Sequence, residues 1–297
     1  MYRSGNCELT DFDVGQGVAL LKMNAQVDRP IGMFDSGFGG LTVARAVIDS
    51  MPSENLIYIG DTARYPYGPK PASDVRSFAI ELATSLVRDF NVKLIVVACN
   101  TAASVALSEL QSSFSVPVIG VVEPGARALV HTTKNNRVAV IGTVGTIASG
   151  AYEVAVASAS RELSSEVVLT AMACPGFVEF VERDETSGKA VTQLAERLLA
   201  PIRKADVDAL LLGCTHYPYL SDVIGQVMGS DVKLINSADA TASVVRDALQ
   251  TNNVARSVVS GEWGSHEFYS SGDVQQFAKL GRRFLGPELS VAKQWPK

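Results

Sequence analysis

The chain has 297 residues, of which 47% are hydrophobic and 19% are charged. At about 150 residues per domain this length suggests two domains, and the low charged share excludes an intrinsically disordered chain. The 26 Lys and Arg residues against 31 Asp and Glu residues give a formal net charge of -5. Basic residues do not cluster with interleaved aromatic residues, so we expect no nucleic-acid partner.

The first thirty residues do not indicate export or membrane insertion. The apolar segment 18–21 is short and follows Asp11 and Asp13, unlike the apolar core of a signal peptide. No apolar run approaches the roughly 18 residues of a membrane span. We therefore expect a cytoplasmic protein with no membrane partner. We interpret residues 1–30, which include Cys7, as an extension outside the fold. One interpretation is that this extension is disordered.

Short apolar runs alternate with amphipathic stretches from Pro30 onward. This alternation is typical of an α/β fold, and runs rich in Val, Ile and Leu indicate parallel strands that are buried on both faces. The predicted strands are 31–34, 56–59, 94–98, 116–121, 138–141, 167–173, 209–212 and 233–235.

Two helices are indicated by their ends and their apolar spacing. Ser73 is predicted to cap a helix that runs to about Phe90, because apolar residues recur along one stripe of that segment. The last helix is predicted over 274–285, ending at Gly286, since glycine commonly terminates helices.

The sequence contains an internal similarity. Residues 90–101 and 205–216 both read as a helical segment, a turn, a buried strand, a small residue, a cysteine and hydroxyl-bearing residues. Any parallel strand shares the apolar run, but the paired cysteines, Cys99 and Cys214, are specific. We therefore predict two similar α/β halves.

Both cysteines follow a predicted strand and precede a predicted helix. Ligands of open parallel sheets bind beyond the carboxyl ends of the strands, and a helix N-terminus favours a thiolate. A thiol pKa of about 8.5, lowered by one or two units, would suit a base near neutral pH. The alternative is that both are packed core residues, although each is followed by polar residues.

Two facing thiols suit the inversion of a stereocentre. One thiolate removes a proton from one face of a carbon, and the opposite thiol returns a proton to the other face. Because reacting atoms approach to about 3–3.5 Å, the two sulfur atoms are expected roughly 6–7 Å apart. A reducing cytoplasm argues against a disulfide between them.

Four segments in this order resemble glutamate racemases of the aspartate/glutamate racemase superfamily. The resemblance covers about residues 30–290. The segments are 31–43 (IGMFDSGFGGLTV), 60–68 (GDTARYPYG), 98–101 (ACNT) and 212–218 (LGCTHYP).

The resemblance implies two pseudo-symmetric, doubly wound α/β domains with mostly parallel sheets and an active site in the cleft between them. The first domain would comprise 31–123 and 236–297, and the second 124–235, with crossovers near Glu123 and Asn236. The resemblance further implies a cofactor-independent enzyme that supplies D-glutamate for peptidoglycan synthesis. It also implies that the enzyme is a homodimer.

The resemblance also assigns residues. Cys99 and Cys214 would be the acid/base pair. The substrate would be surrounded by Asp35, Ser36, Tyr67, Gly68, Asn100, Thr101, Thr215 and His216.

These residue types suit glutamate, which has two carboxylates and one ammonium group. The hydroxyl and amide side chains and the backbone N–H groups at Gly68 can donate hydrogen bonds to the carboxylates. Asp35 can face the ammonium or help a thiol lose its proton, and the sequence does not decide between these roles. A turn after a strand is the structural alternative for residues 35–37.

His216 follows Cys214 by two residues and can polarise its thiol, so it is a further catalytic candidate. Glu182 is a third, because the family usually has Cys-Pro-x-Phe-Val-Pro-x-x-Glu from the position of Cys174. Here Glu179 replaces the second proline, but Glu182 stays in register. We expect Cys174 to pack in the core, and His131 and His266 to be surface or capping residues.

Other chemistries are less well supported. Thr42 stands where a glycine would complete a dinucleotide-binding fingerprint, and nothing marks a lysine for pyridoxal phosphate. Cys99, Cys214 and His216 are possible zinc ligands but lack the usual spacing, so we predict no cofactor and no metal. The alternatives are a racemase of aspartate or another amino acid, a one-thiol decarboxylase, and a non-catalytic thiol protein that binds metal or senses redox state.

Overall fold

The structure is a computed structural model that describes residues 26–256 and 263–296. Most of the predicted N-terminal extension, including Cys7, lies outside the described residues. In chain order the strands are β1 (Ile31–Asp35), β2 (Leu56–Gly60), β3 (Leu94–Val97), β4 (Val118–Gly120), β5 (Arg137–Gly142), β6 (Val168–Ala173), β7 (Ala209–Gly213), β8 (Lys233–Asn236), β9 (His266–Ser270) and β10 (Lys293–Gln294).

The helices connect these strands and cover the sheets. They are α1 (Leu41–Ser50), α2 (Ala72–Arg88), α3 (Asn100–Ser113), α4 (Val122–Thr132), α5 (Val144–Ala148), α6 (Ala151–Glu162), α7 (Phe177–Glu182), α8 (Lys189–Lys204), α9 (Ser221–Met228), α10 (Ser237–Thr251) and α11 (Val274–Leu285).

Two parallel sheets form in the described part of the chain. The first has the strand order β10-β9-β2-β1-β3-β4, and the second has the order β6-β5-β7-β8. The order β2-β1-β3-β4 in one sheet is therefore repeated as β6-β5-β7-β8 in the other. The predicted α/β class, the parallel sheets and the two similar halves are confirmed.

The strand interiors explain why the sheets form. β1, β2, β3 and β7 consist entirely of buried residues, as expected of parallel strands covered on both faces. Among the described residues, the buried hydrophobic side chains form one cluster that extends through both halves. The carboxyl ends of β1, β3 and β7 are thus fixed by side chains packed on both faces of the sheets.

The chain passes from the first sheet to the second through α4 and returns through α10. α4 packs against α6 and α10, and α10 also packs against α1. Domain limits near Glu123 and Asn236 place the crossovers at the starts of these two helices, and they stay a prediction. No helix within residues 26–256 and 263–296 combines the length and apolarity needed to cross a bilayer.

All eight predicted strands occur, and no predicted end lies more than two residues from the observed one. β9 and β10 were not predicted. The last helix has the predicted bounds and ends at Gly286, whose φ of 91° suits glycine. The prediction for Ser73 is wrong: the helix begins at Ala72 after Pro71, and no side chain caps it.

Candidate active site

The carboxyl ends of β1, β3, β5 and β7 meet at one small cavity between the two halves. Its volume of about 20 Å³ suits about one water molecule. A ligand the size of an amino acid therefore requires its walls to move apart. The lining residues are Asp35, Ser36, Tyr65, Pro66, Tyr67, Gly68, Cys99, Asn100, Thr101, Thr143, Val178, Cys214, Thr215 and His216.

This lining includes both predicted acid/base cysteines and every predicted substrate-binding residue. The three cysteines among the described residues, Cys99, Cys174 and Cys214, are free. Cys174 is 1% exposed and does not line the cavity, so its predicted packing role is confirmed. Within the described residues, no group of three or more His, Cys, Asp or Glu side chains is arranged to hold a metal ion.

Cys99 precedes the first residue of α3 and has an extended backbone. Its Sγ lies 3.7 Å from Ser36 Oγ. Burial raises the pKa of the Cys99 thiol, and the charge of Asp35 raises it further, although the backbone of Ala102 and the hydroxyl of Ser36 oppose this. The predicted lowering of this pKa is wrong for Cys99, because the loss of water outweighs the helix terminus.

Asp35 is 1% exposed and ends β1. Its Oδ2 accepts hydrogen bonds from the backbone N–H groups of Gly40 at 2.9 Å and Gly37 at 3.3 Å. A Cβ atom at Gly40 would lie 2.6 Å from Asp35 Cβ, so glycine is needed for this close approach. The carboxylate therefore holds the loop that leads into α1, and its charge acts on Cys99.

Cys214 has different surroundings. Its Sγ lies 3.9 Å from His216 Nδ1, and His216 Nε2 lies 3.6 Å from Glu182 Oε1. Burial disfavours the charged imidazole, but Cys214 and Glu182 together raise the pKa of His216 to about 10. A short 3₁₀ helix, Tyr217–Leu220, follows Cys214 before α9. A helix therefore follows Cys214, as predicted, but it begins as this 3₁₀ segment and becomes α-helical only from Ser221.

Glu182 ends α7 and lies behind His216 rather than in the cavity lining. The structure thus places Glu182, which the sequence offered as a separate candidate, behind the pair of Cys214 and His216. Glu179, at the position of the usual proline, lies in the first turn of the same helix.

Tyr67 and Gly68 also line the cavity. Tyr67 is 1% exposed, and its hydroxyl donates a hydrogen bond to the carboxylate of Asp61. The phenol proton therefore already has a hydrogen-bond acceptor within the protein. A Cβ atom at Gly68 would lie 2.9 Å from Thr143 Cβ. The carbonyl of Gly68 accepts a hydrogen bond from the N–H group of Gly145 at 2.9 Å, which joins the two halves.

Hydroxyl groups make a second connection between the halves. Thr101 Oγ1 lies 2.9 Å from Thr143 Oγ1 and 3.2 Å from Thr146 Oγ1. Sequence reasoning missed Thr143, although it follows β5 as Ser36 follows β1. The internal similarity of the two halves was the signal that could have found it.

Sequence reasoning also missed Tyr65. Its hydroxyl is buried and has no hydrogen-bond partner among the described residues. Its ring centroid lies 6.1 Å from that of His216. Burial raises the pKa of Tyr65, and the charges of Glu182, Cys214 and Asp35 raise it further. Tyr65 therefore adds a neutral donor on the Cys214 side of the cavity.

The other two histidines lie outside this site. His131 is exposed in the last turn of α4, as predicted for a surface residue. His266 begins β9 and is half-buried. It is therefore neither a surface residue nor a helix cap, and that prediction is wrong.

A protein-family profile described as Asp/Glu/Hydantoin racemase matches residues 41–245. The chain belongs to this racemase family. Among its curated family relatives, the glutamate racemase of a Parafrankia strain is 48% identical over 267 residues, which are 90% of this chain and 94% of the relative.

Solved structures in the family have the same architecture. Glutamate racemase isoform RacE1 from Bacillus anthracis is 40% identical, with a TM-score of 0.82 over 90% of this chain and 97% of that one. Glutamate racemase from Francisella tularensis in complex with D-glutamate is 32% identical, with a TM-score of 0.83 over 91% and 98%.

Proposed function

We propose that this racemase interconverts L-glutamate and D-glutamate without a cofactor. The observation that carries the proposal is that two free thiols, Cys99 and Cys214, line one cavity from the ends of equivalent strands. Relatives at 48% identity named glutamate racemase support the substrate. The structure of a relative with D-glutamate bound supports it further.

The reaction is the removal and return of the α-proton. One cysteine thiolate takes the proton from one face of the α-carbon, and the electron pair stays on that carbon as a carbanion. The other cysteine, as a thiol, gives its proton to the opposite face. Each turnover exchanges the protonation states of the two cysteines, so the next substrate of the same hand requires proton exchange with solvent. The expected separation of roughly 6–7 Å between the sulfurs stays a prediction.

The two sides are charged differently. Below a pH of about 10 His216 holds a proton, and this cation stabilises negative charge on Cys214. Cys99 is held as a thiol, because burial and Asp35 raise its pKa. We therefore assign the resting acid to Cys99, with Asp35 acting on it, and we assign His216, with Glu182 behind it, to the stabilisation of Cys214 when that residue acts as the base.

The substrate carboxylates need donors and its ammonium needs an acceptor. Asp35 is the anion that lines the cavity beside Cys99, and we assign the ammonium to it. Because such binding would reduce the effect of the Asp35 charge on Cys99, substrate would favour the thiolate there. The donors are assigned to the side chains of Ser36, Asn100, Thr101, Thr215 and His216 and to the backbone of Tyr67 and Gly68.

The remaining parts of the proposal concern the setting of the enzyme. We assign it to the cytoplasm, as a homodimer that supplies D-glutamate for peptidoglycan synthesis. The two catalytic halves would be residues 31–123 with 236–297, and residues 124–235.

The first test is incubation of the purified protein with L-glutamate in D2O. Proton NMR would follow the α-proton signal, and circular dichroism would follow the optical signal. The proposal predicts that both decay, the second to zero. Activity with aspartate but not glutamate would contradict the substrate and retain the mechanism. No exchange with any amino acid, together with bound metal or reversible thiol oxidation, would favour a non-catalytic thiol protein.

A further inference from the structure

Tyr152, on α6 in the second half, contacts the neighbours of both cysteines. Its side chain is fully buried, and its hydroxyl donates a hydrogen bond of 2.5 Å to Asn100 Oδ1. Asn100 directly follows Cys99. A Cβ atom at Gly213 would lie 3.0 Å from Tyr152 Cε2, so the ring packs against the residue that precedes Cys214.

The hydrogen bond determines how the Asn100 amide is turned. Asn100 is 3% exposed and lines the cavity. Its Oδ1 is bound to Tyr152, whereas its Nδ2 is buried and has no hydrogen-bond partner in the described part of the chain. A buried NH2 group without a partner is unfavourable unless a ligand accepts from it.

We propose that Tyr152 is a positioning residue that holds the Asn100 amide with its NH2 group directed toward a substrate carboxylate. This inference rests on the proposed function, since it names how one substrate contact is oriented. Tyr152 belongs to the second half, whereas Asn100, the substrate contact on which it would act, belongs to the first half.

The reverse orientation of the amide is disfavoured at both ends. Tyr152 would then face Nδ2, and its O–H group would lose its acceptor in a buried position. Oδ1 would point toward a substrate carboxylate and repel it. Burial and the charge of Cys214 raise the pKa of Tyr152, so its hydroxyl remains a donor at neutral pH.

The test is a double-mutant cycle of Tyr152→Phe and Asn100→Ala, with kinetics measured for both enantiomers. Each single variant should raise KM by about tenfold, the effect of losing one hydrogen bond to a charged group, with a smaller change in kcat. In the Asn100→Ala background, Tyr152→Phe should change kcat/KM by less than about twofold, because the two residues act as a unit. Tyr269→Phe is the matched control, since its hydroxyl contacts Glu267 away from the cavity.

Two results would overturn the inference in an active enzyme. One is unchanged kinetics in Tyr152→Phe. The other is a full, additive loss in the Asn100→Ala background, which would mean that Tyr152 acts through something other than Asn100. Absence of glutamate racemisation by the wild-type protein would instead contradict the proposed function, so the two failures are distinguishable.

A further variant covers the case in which Tyr152→Phe does not fold. Asn100→Asp keeps an oxygen acceptor for Tyr152 but has no NH2 group. The inference predicts a folded protein, checked by thermal unfolding, whose KM rises by at least about tenfold. A folded Asn100→Asp variant with the wild-type KM would contradict it.

Discussion

The two sides of the cavity have the same strand topology but different electrostatics. Cys99 precedes a helix of fourteen residues and faces Ser36 and the carboxylate of Asp35. Cys214 precedes a four-residue 3₁₀ helix and faces His216, which Glu182 supports. The carboxylate of Asp35 thus acts on Cys99. The imidazolium of His216, with the carboxylate of Glu182 behind it, acts on Cys214.

The comparison shows that a repeated fold places equivalent groups without giving them equivalent protonation states. A racemase that uses two thiols needs one thiol and one thiolate at the start of each turnover. Two identical environments would leave this difference to chance, whereas Asp35 places an anion beside Cys99 and His216 places an imidazole with a raised pKa beside Cys214. The pseudo-symmetry places the two cysteines at equivalent positions, and the neighbouring residues determine the charge around each of them.

The largest effect is expected from removing either thiol. Cys99→Ala and Cys214→Ala should each reduce racemisation by more than about 10³-fold, because each removes a proton donor or acceptor for one face. Circular dichroism with each enantiomer measures this loss. Cys174→Ala is the matched control, since Cys174 is buried outside the cavity lining, and its kcat should stay close to the wild-type value. A normal rate in either Cys99→Ala or Cys214→Ala would contradict the two-thiol account.

The second-largest effect is expected from a variant that disturbs the surroundings of Cys214. Gly39→Ala would place a Cβ atom 2.3 Å from Thr215 Oγ1 and 2.5 Å from His216 Nδ1. Because catalytic groups displaced by about 1 Å can lose about 10²-fold in rate, we expect a loss of that order in kcat/KM.

Gly225→Ala, in α9, is the matched control for an added methyl group. The nearest atom to its Cβ would be 3.7 Å away, and alanine is a better helix former by up to about 1 kcal/mol. It should keep full activity and raise the melting temperature slightly. Equal activity of Gly39→Ala and Gly225→Ala would contradict the close contact between the halves.

The smallest effect concerns the charge behind His216. Glu182→Gln should lower the pKa of His216 from about 10, because it removes a negative charge that favours the imidazolium. The alkaline limb of the kcat/KM profile should therefore move to lower pH, with a rate loss below about tenfold at neutral pH. Glu185→Gln is the control, since Glu185 is exposed and pairs with Arg183. An alkaline limb that does not move would contradict the assigned role of Glu182.

The same residue makes a prediction about stability. The pKa of His216 is raised in the folded protein, so its contribution to stability is fully present below the unfolded value of about 6.5. The contribution is lost as the pH rises through about 10. Chemical unfolding between pH 6 and 10 should show a shallower loss in Glu182→Gln than in the wild-type protein.

The strands next to the site could be predicted because each contains a short apolar run of buried residues. β9 and β10 could not, because β9 begins with the polar residues His266 and Glu267, and β10 is a two-residue edge strand, Lys293–Gln294. These strands form by pairing at the edge of the first sheet, and the spacing of apolar residues within each segment does not indicate that pairing.

The site residues were predicted through motifs, and the omissions share one cause. Thr143, Tyr65 and Tyr152 act through contacts between segments far apart in the chain. The pKa direction of Cys99 was wrong for a related reason. Helix position can be read from sequence, but the burial that dominates the thiol cannot.

The most direct test of the account is the early isotope content of both enantiomers when racemisation of L-glutamate starts in D2O. Removal from one face and return to the other predicts that new D-glutamate has deuterium at its α-carbon, while the remaining L-glutamate still has hydrogen. Deuterium that enters L-glutamate as fast as D-glutamate forms would mean that one base serves both faces. That result would contradict the assignment of Cys99 and Cys214 to opposite faces of the substrate.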